Sequence, residues 1–316
     1  MRRERVDVVA AVLLVVCWSS GFIGAVLGTR AAPVETVLAW RTLVSALMLG
    51  TWALLRGQRV SPRALMRQGV LGLLVQVLYL GGVFAAAGAG VSAGTSALLA
   101  AMQPLLVAAL AGPLLGERTS RRGHLGLLIA AGGVALVVAG DLGGGHAPVR
   151  AYLLPIGALA ALALGTVLER RWRPSESLIT SLALQSAVAA GVFCTVAAAE
   201  AHLTPPPTAG FWAAIGWLVV LSTLGGYGSF LFVVRRSGAT QASILLYLTP
   251  PTTSLWAWLL LDQPPAPLAI PGVIVCAGGV GLALWRLSPA PRQPTRGAGT
   301  AAGRSSTPLS KTASRR

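Results

Sequence analysis

The sequence predicts an all-α integral membrane protein: ten transmembrane helices forming two five-helix repeats of inverted topology, with the N- and C-termini cytoplasmic. Three observations carry this prediction. The 316 residues are 54% hydrophobic and only 11% charged, with a mean hydropathy of +0.72, a composition outside the range of soluble globules. Apolar runs of about 20 residues recur along the chain, the length that crosses a hydrocarbon core. A shift of 146 residues, without a gap, lays one stretch of the chain on another.

The runs are continuously apolar and do not alternate at every second residue, so they read as helices and not as barrel strands. The first, 6–27, follows a basic start, Arg2-Arg3-Glu4-Arg5. It resembles a signal peptide, but Val16 is too large to precede a lipoprotein cleavage site at Cys17 and no small-residue pattern follows, so an uncleaved helix is expected. Charge, Gly and Pro then divide the chain into spans 33–55, 68–88, 93–115, 123–140, 150–168, 178–199, 210–234, 240–261 and 267–286. Short connections make successive spans antiparallel.

Arginine sets their orientation, because basic residues stay on the cytoplasmic side. Every second loop is basic: Arg56, Arg59, Arg63 and Arg67; Arg118, Arg121 and Arg122; Arg170, Arg171 and Arg173; Arg235 and Arg236. The opposite loops hold only Arg30 and Arg150. This distribution accounts for the net charge of +16; with no basic face interleaved with stacking aromatics, nucleic acid is not an expected partner.

The 146-residue shift lays Leu99, Pro104, Leu114, Leu115, Gly126 and Ala131-Gly132-Gly133-Val134 on Leu245, Pro250, Leu260, Leu261, Gly272 and Ala277-Gly278-Gly279-Val280. Leu on Leu means little between membrane helices; Pro on Pro and AGGV on AGGV mean more. Five spans per half is an odd number, so equivalent loops must face opposite sides. Arg118, Arg121 and Arg122 indeed fall on Pro264, Pro267 and Leu268, and Arg235-Arg236 fall on Ala89-Gly90. The halves are placed at 1–140 and 150–286, followed by a polar, basic cytoplasmic tail, 287–316, expected to be disordered.

The run Trp18-Ser19-Ser20-Gly21-Phe22, Arg41 early in the second span, Pro104 in the fourth, Gly116-Glu117 closing it and AGGV in the fifth, together with the duplication, resemble the EamA-type branch of the drug/metabolite transporter superfamily. The resemblance covers everything but the tail. It implies a basket of ten helices around a central cavity, moving a small-molecule substrate by alternating access, most often exporting an amino acid or related amphipathic metabolite; efflux of toxic compounds or metabolite uptake are the alternatives. Asp262-Gln263 departs from the pattern, standing where Gly116-Glu117 stands in the first half.

Arg41 is the only basic residue well inside a span, where a charge costs roughly 2.5–3.5 kcal/mol on insertion scales. Trp18, counted along its helix, lies at the same depth, so Arg41 is expected to meet Trp18, Ser19 and Ser20. It either locks two helices together or anchors a substrate carboxylate. Pro104 and Pro250 each remove an amide donor inside repeat-equivalent helices and free the carbonyls of Ala100 and Leu246, marking gating breaks or simple kinks. Gln76, Tyr79, Gln103, Gln185, Tyr227, Tyr247 and Trp256 are further polar or amphipathic groups at membrane depth, either cavity lining or glue between helices. Gly132-Gly133 and Gly278-Gly279 should let two helices approach closely.

Glu35, Glu117, Glu169, Glu200 and Asp262 sit near span ends, and His124, His146 and His202 in or beside loops, so proton exchange through a mid-membrane carboxylate is not expected. Nor is an enzyme, since no catalytic constellation lies at membrane depth. Cys17, Cys194 and Cys276 lie in apolar runs and suggest no disulfide framework. No metal or cofactor is called for, and the chain is expected to act as a monomer, with a dimer the alternative. Abundant Ala, Gly and Arg point to a bacterial inner (plasma) membrane.

Overall fold

The computed structural model describes residues 2–58, 60–115, 147–237, 248–265 and 267–284, with 125, 126, 128, 129, 131–133, 135, 136, 139, 140, 242, 245 and 246. Arg59, Gly116-Glu117, Arg118, Arg121, Arg122, His124, His146, Tyr247 and the tail 287–316 lie outside them. All regular elements among the described residues are helical. They are α1 (Arg2–Ala31), α2 (Val34–Leu55), α3 (Pro62–Leu71), a π-helical stretch (Gly72–Leu78), α4 (Tyr79–Gly88), α5 (Ala93–Ala100), α6 (Gln103–Leu115), α7 (Leu153–Trp172) preceded by a 3-10 turn (Val149–Tyr152), α8 (Leu178–Ala199), α9 (Ala209–Trp217), a second π stretch (Leu218–Tyr227), α10 (Gly228–Ser237), α11 (Thr249–Leu261) and α12 (Ala269–Leu284). Each π stretch joins its flanking helices into one continuous rod.

Local chemistry sets the helix starts. The hydroxyls of Ser61, Ser92, Ser177 and Thr208 accept from the backbone N–H groups of Ala64, Thr95, Thr180 and Phe211, satisfying donors that have no partner within the helix. Six helical rods are long and apolar enough to cross a membrane: Val6–Ala31, Val34–Leu55, Pro62–Gly88, Val149–Trp172, Leu178–Ala199 and Ala209–Arg236. Their outer faces are greasy, with Leu54, Leu55, Leu73, Leu153 and Val220 exposed, whereas Arg41, Gln68, Gln76, Gln103, Gln185 and Thr253 are buried. That inside-out pattern is what lipid selects, since polar groups avoid hydrocarbon by turning toward one another.

The core runs through the middle of the bundle, where Trp18, Phe22 and Ile23 of α1 pack with Tyr79 and Phe84 of α4, Leu218 and Tyr227 of the second π stretch, and Phe230 of α10. The most extensive helix pair is α2 against α8; α1 lies along the second π stretch and α11, while α7 lies along α4 and α6.

Of the breaks or kinks expected at the two prolines, the structure has breaks. The rod expected at 93–115 is broken after Ala100: Met102 N–H donates to Leu99 O (3.1 Å) and Leu105 N–H to Met102 O (3.0 Å), and Pro104 falls at the second position of α6. Pro250 likewise falls at the second position of α11, behind a turn in which Leu248 N–H donates to Leu245 O (3.0 Å). Proline is at home there, because the first turn of a helix has no internal use for its N–H.

Close packing at the glycine pairs is seen at Gly133. A Cβ on Gly133 would stand 2.6 Å from Cys276 N and 2.7 Å from Gly272 O, on α12, while Gly132 and Gly278 face open space. Gly133→Ala should therefore push backbone from backbone and cost about 1–3 kcal/mol, read as a lower unfolding temperature in detergent; Gly132→Ala should leave that temperature unchanged.

Candidate functional site

Arg41, on α2, is 1% exposed. Its Nη2 donates to Ser222 Oγ (3.0 Å) and Thr223 Oγ1 (3.4 Å), and its guanidinium carbon lies 5.3 Å from the centre of the Phe84 ring. Nε and Nη1 have no acceptor, and among the described residues no carboxylate is paired with it. Ser222 and Thr223 belong to the second π stretch. The looser π winding turns successive side chains through a smaller angle than an α-helix does, so two adjacent hydroxyls reach one guanidinium.

The expected contact of Arg41 with Trp18, Ser19 and Ser20 is not formed. Ser19 Oγ bonds Val15 O (2.6 Å) and reaches Thr249 O (3.4 Å), and Ser20 Oγ bonds Cys17 O (2.7 Å); both hydroxyls are spent mainly on their own helix. Trp18 stacks instead in an aromatic cluster, with ring centres 4.9 Å from Tyr227 and Phe230 and 6.1 Å from Tyr79. Trp18, Tyr79 and Tyr227 nonetheless share one small cavity with Arg41, of about 20 Å³, completed by Phe22, Phe84 and Ser222.

The other candidates lie elsewhere. Gln103 Nε2 bonds Thr166 Oγ1 (2.8 Å) and ties α6 to α7. Gln76 is buried in the first π stretch with its Nε2 unpartnered and does not line the Arg41 cavity. Gln185 Nε2 bonds Gln68 Oε1 (2.8 Å). Trp256 meets Trp217 edge to face, 6.2 Å between centres. Pro250 borders a separate space of about 40 Å³ beside Ser92 and Gln263. Sequence reading missed Ser222, Thr223 and Phe84, which look like ordinary packing residues until the tertiary fold brings them to Arg41.

Three cavities follow one another along the bundle. At the end carrying Arg30, an open space of about 460 Å³ is bounded by Val26, Thr29, Ala87 and Gly88, among others. One helical turn deeper, about 5.4 Å, Phe22, Val83 and Phe84 roof the Arg41 cavity. Tyr227 then forms a wall of both that cavity and a third, about 20 Å³, bounded by Thr166, Glu169 and Gln185. Beyond it lies a buried ion pair. Arg235 donates to Glu169 Oε1 from Nε (3.3 Å) and Nη2 (3.1 Å), to Ser181 Oγ (2.8 Å) and to Glu176 O (2.5 Å). Glu169, expected simply at a span end, is turned inward and 6% exposed, with Oε2 unpartnered.

The pattern that defines the EamA-like transporter family matches residues 6–139 and again 149–285. Over 240 residues the chain is 25% identical to the Escherichia coli K12 protein named "Uncharacterized inner membrane transporter YedA", covering 75% of this chain and 77% of that protein. It is 30% identical over 195 residues to the "Probable terminal-alkyne amino-acid exporter" of Streptantibioticus cattleyicolor, covering 60% and 63% of the two. One solved crystal structure, 19% identical, superposes on 89% of this chain and 98% of its own length with a TM-score of 0.64, and so shares the fold. With its membrane-length rods and both halves matched, this multi-pass inner-membrane protein belongs to the EamA-like transporter family.

Proposed function

We propose that the chain exports a small carboxylate-bearing solute, an amino acid or a related amphipathic metabolite, by alternating access, and that Arg41 holds the carboxylate. One observation carries this reading: a guanidinium 1% exposed, at a cavity, with no carboxylate partner and two nitrogens without acceptors. A buried cation left in that state is costly, and a carboxylate reaching it, once the cavity of about 20 Å³ widens in the transport cycle, would complete it with charge-assisted hydrogen bonds. The aromatic walls suit an apolar substrate body. The name of the Streptantibioticus cattleyicolor relative agrees with an amino-acid class.

The mechanism asks for ten helices in two inverted halves, 1–140 and 150–286, with termini inside and the tail 287–316 cytoplasmic, working as a monomer. Several details support the duplication beyond the sequence. The π stretches begin at Gly72 and Leu218, 146 residues apart. The turns before the two prolines use equivalent bonds, Met102 to Leu99 and Leu248 to Leu245. The pairings are reciprocal, α1 with the second π stretch and α7 with the first, α1 with α11 and α7 with α6. Arginine placement makes the Arg235 end cytoplasmic on this reading, and the wide space at the Arg30 end then faces outward.

The test is the extracellular metabolite profile, by mass spectrometry, of cells loaded with amino acids and dipeptides and expressing the chain or Arg41→Gln. Selective release by the wild type alone is the expected result; equal release would refute export through Arg41. The proline breaks have their own outcome. Pro104→Ala and Pro250→Ala let the flanking helices run on and remove the hinge, slowing transport about tenfold, the effect of 1.4 kcal/mol on a barrier. Unchanged rates in both variants would exclude a gating role.

A further inference from the structure

The wide cavity at the Arg30 end has an unusual charge arrangement. Arg30 and Asp262 both line it and are exposed, yet among the described residues neither side chain makes a hydrogen bond or ion pair. Gln263, beside Asp262, also lines the space, but its Oε1 is buried away from it. Among the described residues, two opposite charges thus share one concave space without side-chain partners.

Neither charge is there by default. Arg30 is one of two arginines in the loops that basic residues otherwise avoid, so it runs against the rule that places them on the cytoplasmic side. Asp262 closes α11 in the left-handed region, φ 54°, where glycine is the unstrained choice; 146 residues earlier the chain has Gly116. Aspartate, like asparagine, is accommodated there, and its side chain borders the cavity. About 460 Å³ falls within the roughly 300–1,000 Å³ typical of small-molecule pockets.

We infer that this cavity is a second binding site, specific for a small zwitterion, with the carboxylate at Arg30 and the ammonium at Asp262. Both charged ends of the solute are read at once, so a molecule with only one of them loses half the recognition. The site is separate from the Arg41 cavity, with which it shares no lining residue; that it faces the outside rests on the orientation proposed above. A carrier with such a station holds its solute at the mouth as well as at Arg41.

Labelling in lipid nanodiscs, where both faces are accessible, tests the inference independently of orientation. Thr29 borders the cavity and is half-buried, so Thr29→Cys supplies a thiol for N-ethylmaleimide; the unsubstituted chain, run alongside, accounts for Cys17, Cys194 and Cys276. A pool of neutral α-amino acids should slow labelling, while their N-acetyl derivatives and methyl esters at the same concentration should not. Adding Arg30→Gln or Asp262→Asn should raise the concentration needed for protection about tenfold, the loss of one charge-assisted contact; asparagine tolerates the left-handed turn. Adding Arg41→Gln should leave protection intact, even where it stops transport. Absent protection, equal protection by the N-acetyl derivatives, or protection indifferent to Arg30→Gln and Asp262→Asn would each overturn the site. Transport surviving Arg41→Gln would instead count against the Arg41 anchor alone.

Discussion

Arg41→Gln is expected to reduce transport at least about 100-fold in proteoliposomes while the protein inserts normally and unfolds at an unchanged or higher temperature. The rate follows from the chemistry of the contact: hydrogen bonds to a charged group are worth about 1.5–3 kcal/mol each in proteins, and two unpartnered nitrogens offer a carboxylate two of them. The stability follows from the desolvation of the cation, which its bonds to Ser222 and Thr223 only partly offset; replacing it with a neutral amide removes that penalty. If Arg41 were a lock between α2 and the second π stretch, the signs would reverse, with the unfolding temperature falling and residual transport tracking the folded fraction. Arg41→Lys separates charge from geometry. An ammonium keeps the charge but not the planar fork, so this variant should raise the KM and retain part of the maximal rate.

The second large effect is expected at the buried ion pair. Arg235→Gln leaves Glu169 buried without its cation, and breaking a buried pair from one side costs about 3–5 kcal/mol. Because the Arg235 side chain is 23% exposed, roughly 2–3 kcal/mol is the better expectation, read as a clear fall in unfolding temperature. Glu169→Gln should cost less, since Arg235 keeps Ser181 Oγ and Glu176 O as acceptors. In the double variant, Glu169→Leu with Arg235→Leu, no buried charge remains, and most of the lost stability should return. One-way export should not return with it. The stable double variant should pass solute in both directions down its gradient, whereas a purely structural ion pair would leave one-way export intact. A double variant whose stability loss equals the sum of the two single losses would show that the pair is not coupled.

Much of this protein was legible in its sequence because the bilayer is a demanding solvent. Continuous apolar runs mark helices there, with no ambiguity against strands, and the six membrane-length rods fall where those runs predict them. Arg41 stood out for the same reason, a lone cation in hydrocarbon. The 146-residue shift pointed to Pro104 and Pro250 as equivalent positions, and both open helices after equivalent turns. It left open whether each helix is interrupted or only kinked, because a proline is compatible with either and the neighbouring packing decides.

The partners of Arg41 were not legible. Ser19 and Ser20 are adjacent to Trp18 in sequence and at the right depth, but a helix hydroxyl can bond its own backbone, and these do. Ser222 and Thr223, 181 and 182 residues from Arg41, reach it only because a π stretch turns both toward α2. Likewise Glu169 and Arg235 read as two span-end charges, one of each sign, until folding sets them 3.1 Å apart. By itself, then, the sequence determined the solvent, the helices and the residues too costly to be idle, since these depend on composition and on periodicity within a single helix. Only the tertiary structure decided which of those residues meet, because depth along a helix can be counted from the sequence whereas rotation about its axis is set by the neighbours packed against it.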